Sequence, residues 1–103
     1  MSTEVIVGQS VRLRCSTSDI YDVNWEHFPT GSASKSYVFF GGGMIIPYHR
    51  RFSVDRGSGN PGQYDLVISS VESSDSGRYR CIDREGQGEQ SEAELIVLGK
   101  IRF

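Results

Sequence analysis

Two cysteines, Cys15 and Cys81, constrain the fold of this chain more than any other feature. They stand 66 positions apart, so they do not form a Cys-x-x-Cys metal or redox motif, and no histidine-rich tract lies near either of them. A disulfide is the favoured interpretation, with two buried free thiols as the alternative. A bond that closes so long a loop would stabilise a small domain by about 4 kcal/mol, and such bonds persist mainly in oxidising compartments. We therefore expect an extracellular protein.

Length and charge narrow the classes of protein further. The 103 residues have room for one domain with one hydrophobic core. The formal net charge of -2 provides no positive excess for a nucleic acid or an anionic lipid surface, and no apolar run reaches the ~18 residues of a membrane span. Neither nucleic acid nor direct membrane contact by this domain is expected. We expect residues 1–99 to form the domain and residues 100–103 to begin a linker or a further domain, and we interpret Met1 as an expression start.

Short runs of alternating apolar residues recur along the chain. Clusters of Gly, Ser, Asn and Asp separate them, and no stretch keeps helical periodicity for three turns, so the chain is predicted to be all-β. The alternation is clearest where Val11, Leu13 and Cys15 would face a core while the arginines between them face water. The predicted strands are residues 11–15, 23–28, 37–40, 44–46, 51–54, 64–68, 77–82 and 93–98.

A tryptophan and a tyrosine accompany the cysteines at a specific spacing. Trp25 lies on the next predicted strand after Cys15, and Tyr79 stands two positions before Cys81 in the run Asp-Ser-Gly-Arg-Tyr-Arg-Cys. From residue 4 to residue 99, this constellation resembles the immunoglobulin superfamily. The resemblance implies a two-sheet Greek-key sandwich in which the disulfide joins the sheets, the indole packs on it and the tyrosine forms a corner with the preceding turn. The residues expected in the core are Trp25, Tyr79, Leu66 and Ile68.

Two further features favour the variable type of this superfamily. Arg51 and Asp75 match the two positions of a salt bridge that the resemblance implies. The chain between Trp25 and Cys81 also has room for two additional strands, termed C' and C'', at the edge of one sheet. The last strand departs from antigen receptors, because a glutamate precedes its Gly-Gln-Gly turn where they have an aromatic residue. It is more similar to the last strand of adhesion molecules and intermediate-set domains.

The same alternation predicts which side chains point away from the core. With Trp25, Tyr79 and Cys81 inward, their neighbours share the outer surface of one sheet, the GFCC' sheet of the superfamily, which we term the front face. Aromatic side chains beside Arg and Glu are typical of protein interfaces, although ordinary exposure or a core role for some aromatics is the alternative. The resemblance implies a protein partner or a second copy bound there. The predicted members are Glu26, Phe28, Tyr37, Phe39, Arg78, Arg80, Ile82, Glu94 and Ile96.

The loops at one end of the sandwich form an alternative recognition surface. The resemblance implies three contacting loops, here residues 16–22, 41–43 and 83–90, through which a secreted immune-type domain would bind pathogen or carbohydrate ligands. Polar loop tips are also commonly just solvated, and a passive spacer in a longer chain is a third hypothesis. The side chains suited to loop contacts are Asp19, Tyr21, Asp83, Arg84 and Glu85.

No catalytic, cofactor or metal site is expected. His27 alternates inward beside Trp25, and His49 adjoins two arginines that disfavour a metal cation. Glu26 and His27 project from opposite sheet faces, so they cannot act as a base and its orienting partner. The sequence therefore predicts a non-enzymatic recognition or adhesion domain of a cell-surface or secreted protein.

Overall fold

The computed structural model describes residues 2–16, 23–57, 62–83 and 90–99, with residues 83 and 90 described by their backbone alone. The predicted linker, residues 100–103, lies outside this part. Nine strands and two single 3-10 turns, Tyr48–Arg50 and Ser73–Asp75, are formed by the described residues. The strands are β1 (Ser2–Ile6), β2 (Val11–Leu13), β3 (Val23–Pro29), β4 (Ser36–Phe40), β5 (Gly43–Met44), β6 (Phe52–Asp55), β7 (Asp65–Ile68), β8 (Gly77–Asp83) and β9 (Gln90–Leu98).

The strands form two sheets, which confirms the predicted all-β sandwich. The front sheet has the order β1-β9-β8-β3-β4-β5, and the back sheet has the order β2-β7-β6. Strand β1 runs parallel to β9, whereas all other described pairs are antiparallel. The outer surface of the front sheet is the front face. Strands β4 and β5 extend it as the two additional edge strands expected for the variable type.

Strand β5 is shorter than predicted, because it contains only Gly43 and Met44. The chain leaves the sheet at Ile45, and Pro47, which has no N–H to donate, precedes a 3-10 turn. Two glycines with positive φ, Gly41 (64°) and Gly42 (85°), form the hairpin between β4 and β5, a conformation that other residues rarely adopt.

The core lies between the inner faces of the two sheets. The Cys15–Cys81 disulfide connects them, as predicted, and the indole N–H of Trp25 donates a hydrogen bond of 2.8 Å to the Tyr64 carbonyl oxygen. Burial of each large apolar side chain contributes roughly 1.5–3 kcal/mol. The predicted core residues are all buried, and the full set is Val5, Leu13, Cys15, Val23, Trp25, Val38, Phe39, Phe52, Tyr64, Leu66, Ile68, Val71, Tyr79, Cys81 and Leu95.

Tyr79 and Arg51 both bond to Asp75 and so tie the sheets together at one end. The Tyr79 hydroxyl donates to the Asp75 carbonyl oxygen at 2.6 Å, which is the predicted tyrosine corner. The Arg51 guanidinium donates two hydrogen bonds, of 2.7 and 2.9 Å, to the Asp75 carboxylate, so these residues do form the predicted salt bridge. Burial raises the pKa of the Tyr79 hydroxyl, and the nearby Asp75 charge raises it further.

Candidate recognition surface

Two rows of side chains cross the centre of the front face. The register places residues of β3, β8 and β9 directly opposite one another, and side chains of one row point to the same side of the sheet. One row is Phe28, Arg78 and Glu94, and the next is Glu26, Arg80 and Glu92. The predicted members in these rows therefore do point to the same side of the sheet.

Glu26 lies beneath this surface instead of on it. Its side chain is 4% exposed, and its carboxylate accepts hydrogen bonds from Lys35 Nζ at 2.6 Å and from Arg80 at 2.7 Å. Burial by itself would raise the pKa of Glu26, but the hydrogen bonds and charges of the two cations outweigh burial and lower it. The prediction that Glu26 is a direct partner contact is wrong, because the two cations cover it. It instead holds Arg80 in place.

The two arginines of β8 turn toward β3 and away from β9. The Arg78 guanidinium lies 4.5 Å from the centre of the Phe28 ring, and that of Arg80 lies 5.3 Å from it. Both distances are in the range of cation–π attraction. Within the described part of the chain, Arg78, Glu92 and Glu94 form no ion pair. The front face therefore carries exposed charges of both signs that are not neutralised by a bonded neighbour.

Phe39 does not belong to the front face. It is 6% exposed and packs in the core, so its predicted role as a partner contact is wrong. Trp25 is opposite Phe39, whereas Glu26 is opposite Tyr37, so β4 has one extra residue at this point. Such a β-bulge reverses the in-and-out alternation beyond it. As a result Phe39 turns inward, and Phe40, which is not among the predicted members of the front face, is 49% exposed.

Exposed apolar residues lie at both edges of the front sheet. Tyr37 and Phe40 contact each other on β4, with ring centres 4.8 Å apart, and Ile46 follows β5. At the other edge Ile6 of β1 is opposite Leu98 of β9. Alternation alone could have identified the last pair had β1 been predicted as a strand. The predicted members Ile82 and Ile96 also point outward and are partly buried.

A groove of about 700 Å³ opens beside the β4–β5 edge, and Phe40, Ile46 and Tyr48 are among the residues that line it. At its base His27 stacks on Tyr79, with ring centres 4.3 Å apart and the rings nearly parallel. His27 Nε2 lies 3.1 Å from the Ser76 carbonyl oxygen, which only accepts, so Nε2 carries the proton and Nδ1 faces the Tyr48 hydroxyl at 3.4 Å. Burial lowers the pKa of His27, although the Ser76 carbonyl and the Asp75 charge partly oppose this. The histidine thus packs inward as a neutral core residue.

The predicted loop contacts stay a prediction. Asp19, Tyr21, Arg84 and Glu85 lie outside the described residues, and only the backbone of Asp83 is described. Among the residues that the structure does describe, no group of three His, Cys, Asp or Glu side chains could hold a metal ion. That part of the chain also has no helix long and apolar enough to cross a membrane.

These features define the class of protein. A six-stranded and a three-stranded sheet, joined by a disulfide beside a buried tryptophan and a tyrosine corner, form an immunoglobulin-like sandwich. The family model of the immunoglobulin V-set domain matches residues 1–98, and the chain belongs to this family. V-set domains are typically extracellular and generally have no enzymatic activity.

Solved structures share this fold at low sequence identity. The second immunoglobulin domain of the mouse polymeric immunoglobulin receptor aligns with a TM-score of 0.81 and 17% identity, covering 97% of each chain. The first immunoglobulin domain of ZIG-8, solved as a homodimer, aligns with a TM-score of 0.76 and 20% identity over 96% of this chain and 79% of that one. The extracellular domain of the voltage-gated sodium channel beta4 subunit has a TM-score of 0.70 and 20% identity, over 98% and 92%. That domain forms parallel homodimers that explain its role in cell–cell adhesion.

Proposed function

We propose that this V-set domain is an extracellular adhesion or recognition module that binds a protein partner through its front face. The observation that carries the proposal is the uneven distribution of exposed apolar residues. All five large hydrophobic side chains that are exposed in the described part of the chain lie on the front sheet or within two residues of the end of β5. None of them lies on the back sheet. An apolar surface on one side only is typical of a domain that buries that side against another protein.

The centre of the front face supports the same proposal. Phe28 is partly buried between two arginines, and Arg and aromatic residues are enriched among the side chains that dominate binding energy. Arg80 is already held by the buried Glu26. Binding of a partner to Arg80 therefore costs less conformational entropy than binding to a freely moving side chain. This part of the surface is preorganised for contact.

The similar structures add support from fold alone. The beta4 subunit has a role in cell–cell adhesion, and the ZIG-8 domain was solved as a homodimer. A protein partner is therefore the favoured class for this chain as well. The disulfide fits an oxidising extracellular setting, as part of a cell-surface protein or of a secreted one.

Two front-face substitutions test the proposal against one matched control. Ile82→Asp and Tyr37→Ala alter the front face, whereas Val67→Asp places the same acid on a partly buried valine of the back sheet. Beads coated with each protein are tested for aggregation and for binding to a panel of purified immunoglobulin ectodomains. We expect the native protein and Val67→Asp to bind the same partner, with binding at least tenfold weaker for Ile82→Asp.

Binding that is unchanged in both front-face variants would contradict the proposal. If such binding were lost when loop residues such as Asp19 or Arg84 are replaced, the loops would be the recognition surface. Circular dichroism and the midpoint of thermal unfolding establish that each variant is folded before binding is compared.

A further inference from the structure

Opposite charges occupy separate halves of the front face. Cations lie on β8 and beside β3, and carboxylates lie on β9 and β1. The basic half comprises Lys35, Arg78 and Arg80, and the acidic half comprises Glu4, Glu92 and Glu94. Because Glu26 neutralises one cation of the basic half, two positive charges remain there against three negative charges on the other half.

The basic and acidic halves stay separate because both arginines of β8 contact residues of β3 instead of the glutamates of β9. Arg78 and Glu94 are direct neighbours across β8 and β9, yet the guanidinium packs over Phe28. Arg80 is opposite Glu92 and instead pairs with Glu26. The glutamates of β9 therefore form no ion pair in the described part of the chain. A partner can bind these exposed charges without first breaking an ion pair within the domain.

We propose that the partner of the front face is a second copy of this chain, bound so that the basic half of each copy lies on the acidic half of the other. The inference rests on the proposed function and names its partner. Most homo-oligomers have a two-fold axis, which brings two different patches of one surface into contact twice. An axis running between β8 and β9 places Arg78 of each copy against Glu94 of the other. A partner surface of one charge sign would instead be repelled by one half.

The size of the overlapping surface fits a weak, reversible dimer. An axis between β8 and β9 stacks β1, β9, β8 and β3 of the two copies, and four strands about 4.8 Å apart, with β8 seven residues long, give a flat area of about 450 Å². Protruding side chains raise this value, which stays at the low end of specific interfaces. The exposed apolar residues Ile6 and Leu98 lie on strands within this overlap, whereas those of the β4–β5 edge lie outside it.

Two charge reversals test the pairing across copies. Arg78→Glu gives a chain with acids at both positions, and Glu94→Arg gives a chain with bases at both. In sedimentation equilibrium we expect each variant alone to self-associate at least tenfold more weakly than the native protein, because both contacts become repulsive. In an equimolar mixture both contacts become attractive, so the two variants should form a mixed dimer at least tenfold tighter than either forms alone.

The matched control is Arg14→Glu, which makes the same charge change on an arginine that is exposed beside the back sheet. It should self-associate within twofold of the native protein. The inference is overturned if Arg78→Glu self-associates like the native protein, or if the mixture is no tighter than the separate variants. It is also overturned if the native protein stays monomeric at millimolar concentration.

These outcomes are separable from failure of the proposed function. If the native protein does not self-associate but Ile82→Asp weakens its binding to another ectodomain, the second copy is the wrong partner and the front face is still the binding surface. If neither the reversals nor Ile82→Asp alters any binding, both proposals are wrong.

Discussion

The two sheets each bury one carboxylate near the outer surface and surround it differently. In the front sheet Glu26 is buried and is held by two long side chains, Lys35 and Arg80. In the back sheet Asp65 is equally buried, but it accepts a hydrogen bond from the backbone N–H of Cys15 at 3.0 Å as well as one from Arg12. The back-sheet carboxylate is thus part of the backbone structure, whereas the front-sheet carboxylate organises side chains.

The exposed charges on the outer surfaces of the two sheets also differ in whether they are paired within the domain. On the back sheet Arg12 bridges two carboxylates, Asp55 at 2.9 Å and Asp65 at 3.0 Å, so its charge is neutralised within the domain. On the front sheet Arg78 and Glu94 form no ion pair within the described residues. The charge of Arg12 is thus paired within the domain, whereas the charges of Arg78 and Glu94 stay unpaired among the described residues.

The largest expected effect comes from freeing the two sheets from each other. Replacing both Cys15 and Cys81 with alanine removes the covalent link and should lower the free energy of unfolding by about 4 kcal/mol, because the unfolded chain regains the freedom of a long loop. Urea unfolding of the native protein with and without reductant gives an independent measurement. A double variant as stable as the native protein would show that packing alone holds the sheets together.

A smaller but still large loss is expected on the back sheet. Asp65→Ala leaves the buried N–H of Cys15 without its acceptor and removes one of two carboxylates from Arg12, so the free energy of unfolding should fall by about 3 kcal/mol. Self-association should not change. Asp55→Ala is the control, since this carboxylate is partly exposed, and its loss should be smaller. Equal losses of stability for Asp65→Ala and Asp55→Ala would contradict the role of Asp65 as an acceptor for the backbone N–H of Cys15.

The front-sheet counterpart, Glu26→Gln, should cost less, about 2 kcal/mol, because Lys35 and Arg80 can turn toward water. The pH dependence of this stabilisation follows from the lowered pKa of Glu26. The ion pairs stabilise the fold above the pKa that Glu26 has in the unfolded chain, and this stabilisation is lost as pH falls through the lower pKa of the folded state. The glutamine variant lacks this acidic loss. Urea unfolding between pH 7 and pH 3 measures it, and parallel curves for both proteins would contradict the prediction.

Regular strands made much of this surface predictable from sequence. In β3, β8 and β9 the alternation holds over the central rows, so Phe28, Arg78 and Glu94 were correctly assigned to the outside. It failed in β4 because a bulge does not appear in an apolar pattern, which is why Phe39 was placed outside and Phe40 was missed.

Whether a charged side chain is buried was harder to predict than the side of the sheet to which it points. Glu26 does point outward, but its cover depends on Lys35, which comes from a turn whose path a strand pattern does not specify. Arg78 is likewise opposite two possible partners, Phe28 on one side and Glu94 on the other, and strand register does not show which one it contacts. In the structure its guanidinium lies over Phe28. Tertiary packing decides contacts of this kind, and a strand pattern does not contain it.

The smallest expected effect concerns the inner side of β3, where His27 follows Glu26. Because burial lowers the pKa of His27, the unfolded chain takes up a proton near pH 6.5 that the folded domain resists. The unfolded state then binds more protons, so the free energy of unfolding should fall as pH falls from about 6.5 toward 5, above the range where the carboxylates titrate. His27→Gln should flatten this segment of the curve, and His49→Gln, which removes an exposed imidazole, is the matched control. If the free energy of unfolding of His27→Gln falls with pH as steeply as that of the native protein, protonation of His27 does not destabilise the domain. The loss of stability of the front sheet in acid would then come from Glu26 alone.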